Sequence, residues 1–182
     1  MGLLDLNVSV PVGTGAGMCA LWQPESFAEV TDLDSWEDEI AEDAALVRHI
    51  AAGVFVPINI GADGAFQVSV RGVSALGGLD EREQNYRLVS STPYLLVSKG
   101  KIELGGLEAV GSYTRAHRVE IPLDPGRYSV LVHLIDWKAE PGMLEANGKP
   151  SAGALPDFVV EIADEIAPSA GHRTEVMTFD RP

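Results

Sequence analysis

Apolar and polar residues alternate from the start of the chain. Leu4, Leu6, Val8 and Val10 are interleaved with Asp5, Asn7 and Ser9, the period of a strand with one buried face. Pro11 to Gly17 reads as a glycine-rich turn and Met18 to Trp22 as a second strand, so an N-terminal hairpin over residues 4–22 is expected. The period then changes. Trp36, Ile40, Ala44, Val47 and Ala51 fall at helical spacing, widened by Ile50, and predict one amphipathic helix over residues 35–51. Asp34 stands at its cap with Glu37 as capping-box partner, Arg48 and His49 occupy its last turn, and Gly53 ends it.

Short β patterns fill the rest. Val54 to Ile60 is an apolar run interrupted by Pro57, which marks an edge strand or a bulge because proline donates no ladder hydrogen bond. Asp63-Gly64 is a hairpin turn before the alternating Phe66 to Val70. Residues 74–85 read as a polar loop. Strands follow at 86–89, 94–98, 102–104 and 117–121. Asp124-Pro125-Gly126 reads as a tight turn into Arg127 to Ile135, whose two apolar faces place it centrally in a sheet. A loop over 138–156 leads to a last strand, Phe158 to Ile162, and residues 167–182 form a weakly patterned tail. About ten short strands with one helix predict a mainly β protein, an antiparallel β-sandwich or barrel. The 182 residues make one domain, with a β core over 54–163.

Charge changes the picture more than overall composition does. Of a net −14, ten charges arise in residues 1–47, which hold ten acids and no base. Seven of those acids fall between Asp32 and Asp43, and Arg48 is the first base of the chain. Asp38 with Glu42, and Glu39 with Asp43, would repel at i, i+4 on a continuous helix. Such a field repels nucleic acid and anionic membranes and attracts a basic partner. Solubility is the plainer use of the same charge.

Candidate chemistry is thin. The single cysteine, Cys19, sits in an apolar stretch, which excludes an internal disulfide and points to a buried thiol in a reducing, cytoplasmic setting. The N-terminus lacks the basic start of a secretion signal, and no apolar run reaches membrane-spanning length. Gly13-Thr14-Gly15-Ala16-Gly17 neither opens a helix nor ends in a lysine, so it reads as a loop rather than a phosphate cradle. His117, His133 and Asp136, near strand ends, could hold a metal or small ligand if the fold gathered them. A packed histidine beside a turn aspartate is the simpler reading. No nucleophile, base or zinc motif stands at a recognisable spacing, so no enzyme, metal or cofactor is expected.

Ile121 to Val130 brings a further clue. The Pro125-Gly126-Arg127-Tyr128 strand, preceded by Trp36-Glu37-Asp38-Glu39, then Gly53-Val54-Phe55, then Gln67 to Val70, resembles the layout of the small bacterial ComJ-type competence nuclease-inhibitor β proteins. The likeness spans roughly residues 34 to 135. The chain departs from it by an extra N-terminal hairpin and a C-terminal strand around Leu155 to Val160. The resemblance implies the fold and a cytoplasmic protein that blocks a nuclease. Together with the charge pattern it predicts a non-enzymatic acidic protein that binds a basic nuclease or toxin, as inhibitor or immunity factor. The expected contact residues are Asp34, Trp36, Glu37, Asp38, Glu39, Glu42 and Asp43. The competing expectations are a small-molecule- or metal-binding β protein and a structural or assembly domain.

Overall fold

The computed structural model describes residues 2–166 and 171–181. Eight strands form one sheet: β1 (Asn7–Thr14), β2 (Met18–Trp22), β3 (Phe55–Asn59), β4 (Gly64–Gly72), β5 (Arg87–Ser90), β6 (Tyr94–Gly106), β7 (Arg118–Ile135) and β8 (Phe158–Asp164). Their order is β1-β4-β8-β7-β6-β2-β3, with β5 beside β7. All pairings are antiparallel except β4 with β8, so the sheet is mixed and not purely antiparallel. The mainly β character stands. The number of strands is lower than expected because two of them are long.

Both long strands absorb sequence that reads as a turn. β7 runs unbroken through Asp124-Pro125-Gly126, and β6 runs through Lys99-Gly100. Their register changes there: Ser98 faces Gly126 but Gly100 faces Leu123, so β7 carries an extra residue and the pair bulges. The bulge satisfies its own polar groups. Ser98 Oγ donates to Leu123 O at 2.6 Å and accepts from Gly100 N, while the Tyr128 hydroxyl donates to Asp124 O at 2.8 Å. A proline in a bulge leaves no ladder bond unmade, which is why it does not end the strand here. Beyond the bend along each strand, β6 pairs with β2 and β7 with β8, and β7 is central as expected.

β1, at one end of the sheet, passes close to β6 without pairing to it. The chain crosses so closely there that a Cβ on Gly106 would stand 2.6 Å from Gly13 O. The expected N-terminal hairpin does not form. β1 pairs with β4 in full register, whereas β2 pairs with β3 and β6. Residues 15–17 are therefore a connection and not a hairpin turn. β3, with Pro57 inside it, is an edge strand as its sequence requires. Its outer side is covered by the C-terminal segment: Phe179 N donates to Asn59 O at 2.8 Å, and Phe179 is buried. The part of the expected weak tail that is described, residues 171–181, thus packs on the core. Residues 167–170 and 182 lie outside the described residues.

The main apolar cluster is centred on Trp22, Phe27, Phe55, Tyr94, Phe158 and Phe179, and a smaller one gathers Leu79, Ile135 and Val159. Cys19 lies within the main cluster. Burial, with the charge of Glu108 nearby, pushes its thiol up to about 12, so it is inert at neutral pH. Gly72 permits the N-terminal segment to cross β4, since a Cβ there would stand 1.7 Å from Leu3 O. Gly72→Ala must displace that backbone, but Leu3 belongs to a terminal turn that can shift. The expected cost is about 2 kcal/mol in urea denaturation. A change below ~0.5 kcal/mol would show that the crossing is not tight in solution.

Candidate partner-binding surface

The acidic segment begins two residues earlier than its sequence suggests and is not one helix. The first piece, α1 (Leu33–Trp36), is capped by Asp32, which forms a capping box with Ser35 in place of the expected Asp34 and Glu37. Ser35 Oγ and N both donate to Asp32 Oδ1, at 2.6 and 2.9 Å. These hydrogen bonds, side chain first, hold the Asp32 carboxyl below its usual range. A π turn follows over Glu37–Ala41. Glu42 is then extended (φ −80°, ψ 121°), and a second helix, α2 (Asp43–Ala51), begins after it. Gly53, at φ +74°, closes α2: Val54 N donates to His49 O and Gly53 N to Ile50 O.

The break has an energetic reason. A continuous helix would turn Ala44, Val47 and Ala51 inward. The π turn and the extended Glu42 re-phase the chain so that Ala45, Leu46 and Ile50 are buried while Ala44, Val47 and Ala51 are exposed. Burying Leu46 and Ile50 is worth roughly 1.5–3 kcal/mol each, more than Val47 and two alanines offer together. The break also takes Asp38 and Glu42, and Glu39 and Asp43, out of helical i, i+4 stacking.

The break sorts the expected contact residues. Asp34, Glu37, Asp38, Glu42 and Asp43 are exposed, and no side-chain hydrogen bond or ion pair holds any of them among the described residues. Glu39 differs. Its Oε2 lies 2.8 Å from His49 Nε2 and 3.4 Å from Arg48 Nη2, so it clasps the π turn to the end of α2. Trp36 is half-buried. Its indole N–H donates to Leu107 O at 3.1 Å, and its ring lies 5.6 Å from that of Tyr113. Glu25 and Glu29, on the preceding turns, add to the same base-free stretch. The arginines elsewhere are mostly spent on partners: Arg82 on Glu140, Arg118 on Glu103, Arg127 on Glu165.

The segment is moored to the loop after β6. Ser112 N donates to Val30 O at 2.8 Å, and Gly111, at φ +80°, lets Val30 approach so closely that a Cβ would stand 2.4 Å from its carbonyl oxygen.

The alternative trio does not assemble. His117 is exposed before the start of β7, and His133 and Asp136 lie at its other end. His133 is buried against Ser90 and Glu161, while the Asp136 carboxylate lies 3.9 Å from Arg181. Among the described residues no group of three or more histidine, cysteine, aspartate or glutamate side chains could hold a metal ion. In the Gly13–Gly17 stretch, Gly15 N donates to Glu108 Oε1 and Gly17 N to Asp63 Oδ1, so carboxylates of the chain already take the amides a phosphate would need.

One polar cluster went unread in the sequence. Glu161 on β8 is fully buried. It accepts from Gly77 N at 2.6 Å, faces His133 at 3.3 Å and meets Arg71 of β4 at 3.4 Å. Arg71 also forks onto Glu83 at 2.9 and 2.8 Å. Glu83 belongs to α3 (Glu81–Tyr86), a helix inside the expected polar loop, where it completes a capping box with Asp80. The signal was a lone glutamate in Phe158-Val159-Val160-Glu161-Ile162 and a lone histidine in Val130-Leu131-Val132-His133-Leu134. A charge in a doubly buried strand demands a partner.

Two solved structures share this architecture. One, described as crocagin biosynthetic gene J, superposes with a TM-score of 0.54 at 17% identity, covering 88% of this chain and 96% of its own. The other is ComJ from Bacillus subtilis, inhibitor of the DNA degrading activity of NucA. It superposes with a TM-score of 0.51 at 11% identity, covering 87% of this chain and 96% of its own. The fold is of the ComJ type. The resemblance read from Trp36 to Tyr128 is therefore borne out as a likeness of fold, and it reaches well beyond that span at both ends. No family model and no curated protein sequence matches the chain. No helix among the described residues is long and apolar enough to cross a membrane.

Proposed function

We propose that this ComJ-type chain is a cytoplasmic bacterial protein that binds a basic protein partner and blocks it by non-enzymatic contact, as a nuclease inhibitor or toxin immunity factor. The observation that carries the reading is the set of five exposed carboxylates, Asp34, Glu37, Asp38, Glu42 and Asp43, none of them in an ion pair among the described residues. Their mooring supports it, since the fixed Trp36, the Glu39 clasp and the Val30 junction hold the backbone beneath them in one arrangement. A nuclease site is basic because it holds phosphates. Carboxylates fixed on a scaffold compete for it by imitating that charge, with fast, salt-sensitive association. The fold shared with ComJ, an inhibitor of a DNA-degrading activity, favours a nuclease over other basic partners.

The test measures DNA degradation by an extract of the source organism with the purified protein added, against a variant carrying Asp34→Lys, Glu37→Lys, Asp38→Lys and Glu42→Lys. The native protein should slow degradation at low salt and lose this effect at high salt. The variant should need at least ~100-fold more protein for the same effect. Equal inhibition by both would remove the acidic surface from the account, and no inhibition by the native protein would remove the nuclease.

A further inference from the structure

Away from the acidic surface, three side chains from three strands form a relay. Ser90 of β5 and His133 of β7 are cross-strand partners, with Ser90 Oγ 2.7 Å from His133 Nδ1. The other ring nitrogen, Nε2, lies 3.3 Å from Glu161 Oε2 on β8. His133 and Glu161 are almost wholly buried, while Ser90 is partly exposed. Burial alone would raise the Glu161 carboxyl. The hydrogen bonds from His133 and Gly77 and the charge of Arg71 outweigh it and hold the group below its usual range. An ionised carboxylate only accepts, so Nε2 donates to it, and Nδ1 faces the Ser90 hydroxyl, to which a ring with its proton on Nε2 offers a lone pair. A hydroxyl, a base within hydrogen-bond reach and a buried carboxylate that orients the base are the parts of an activated nucleophile.

We propose that Ser90 is such a nucleophile, acylated by small activated esters with His133 as general base. Ser90 Oγ bonds to the ester carbonyl carbon as its proton passes to His133 Nδ1. The tetrahedral adduct then expels the alkoxide, which leaves with that proton as the alcohol. Water repeats the sequence on the Ser90 ester, releasing the carboxylic acid and restoring the hydroxyl. Arg87 Nη1, 3.5 Å from Ser90 Oγ, sets a positive charge beside the adduct. Among the described residues β5 pairs with β7 alone, and Ser90 is partly exposed, so a small ester reaches its hydroxyl from solvent. Glu161 acts through the imidazole and is a positioning residue. None of these residues belongs to the acidic segment, so the two readings stand or fall separately.

The experiment treats the native protein with p-nitrophenyl acetate and with a fluorophosphonate, mapping labelled serines by peptide mass. Ser90 should be labelled at least ~100-fold faster than the exposed Ser74 and Ser112 of the same molecule, and Ser90→Ala should remove the fast label. Ring ¹⁵N shifts should show His133 neutral and protonated at Nε2. Glu161→Gln should mix the tautomers and slow labelling at least ~10-fold. If that variant does not fold, the internal comparison among serines in the native protein still decides. Labelling of Ser90 no faster than Ser74, or a His133 ring protonated at Nδ1, overturns the proposal.

Discussion

Arg71→Met should lose about 4 kcal/mol of folding free energy at neutral pH. Arg71 is shared between two buried carboxylates, a forked contact to Glu83 and a longer one to Glu161. Methionine fills much of the same volume, so little of the loss is packing. The cost is that of leaving Glu83 and Glu161 buried with one cation fewer, which the pair cannot relieve by moving to water. The effect should depend on pH in a defined direction. In the native protein the Glu161 carboxyl is held below its unfolded value of about 4.3, so its contribution is present above that pH and is lost as pH falls through the lower folded value. In the variant one of the groups holding it down is gone, and protonation relieves the buried charge at higher pH. The gap between the two proteins should therefore narrow from pH 7 toward pH 4.5. Urea denaturation at both values measures it. A gap under ~1 kcal/mol at pH 7, or one that widens on acidification, would mean that Arg71 is not the counter-charge of this cluster. Arg71→Met with Glu83→Gln should cost less than the sum of the single changes, because one removal makes the other cheaper.

That cluster marks where sequence reasoning stopped. The strand signals are local, and they placed most strand segments and the central position of Arg127 to Ile135. Pro57 identified its edge strand because a missing donor is a local fact. Partners are not local. β1 alternates as a strand should, but nothing in Asn7 to Thr14 says that it pairs with β4, 50 or more residues on, instead of with its neighbour β2. Asp124-Pro125-Gly126 has the chemistry of a turn. It becomes a bulge only because Ser98 and Tyr128, from two strands, satisfy the carbonyls it exposes. The acidic helix was legible as helix and as acid. Its break at Glu42 was not, because the inward face is chosen by the larger gain of burying Leu46 and Ile50 against the sheet. The acids stayed readable as a set, apart from Glu39, whose partners His49 and Arg48 lie far enough along the chain that only the break brings them together. The Ser90, His133 and Glu161 relay comes from three strands, and no spacing in one dimension reports it.

Gly111→Ala should test the acidic surface without touching a charge. Gly111 sits at φ +80°, where an alanine is strained, and the added Cβ would stand 2.4 Å from Val30 O and 2.6 Å from Val30 Cβ. Strain and clash together should cost about 3 kcal/mol. Relief requires Val30 to withdraw from the loop after β6, breaking its bond from Ser112 N. Val30 leads directly into Asp32 and α1, so the withdrawal moves the start of the acidic segment while Trp36 still ties its middle to Leu107 O. Every carboxylate is retained, and so is the net charge. Long-range attraction of a basic partner depends on that total and should be little changed, whereas the short-range fit depends on where Asp34, Glu37 and Asp38 stand. The expected result is a partner complex that forms at nearly the native rate but dissociates at least ~10-fold faster, measured at a temperature where the variant remains folded. Gly142→Ala, at a positive-φ glycine with open space around its Cβ in the loop before β8, controls for backbone strain as such. An unchanged dissociation rate in Gly111→Ala would mean that the acids act only as a diffuse field, and the contact would have to be sought on another face of the sheet.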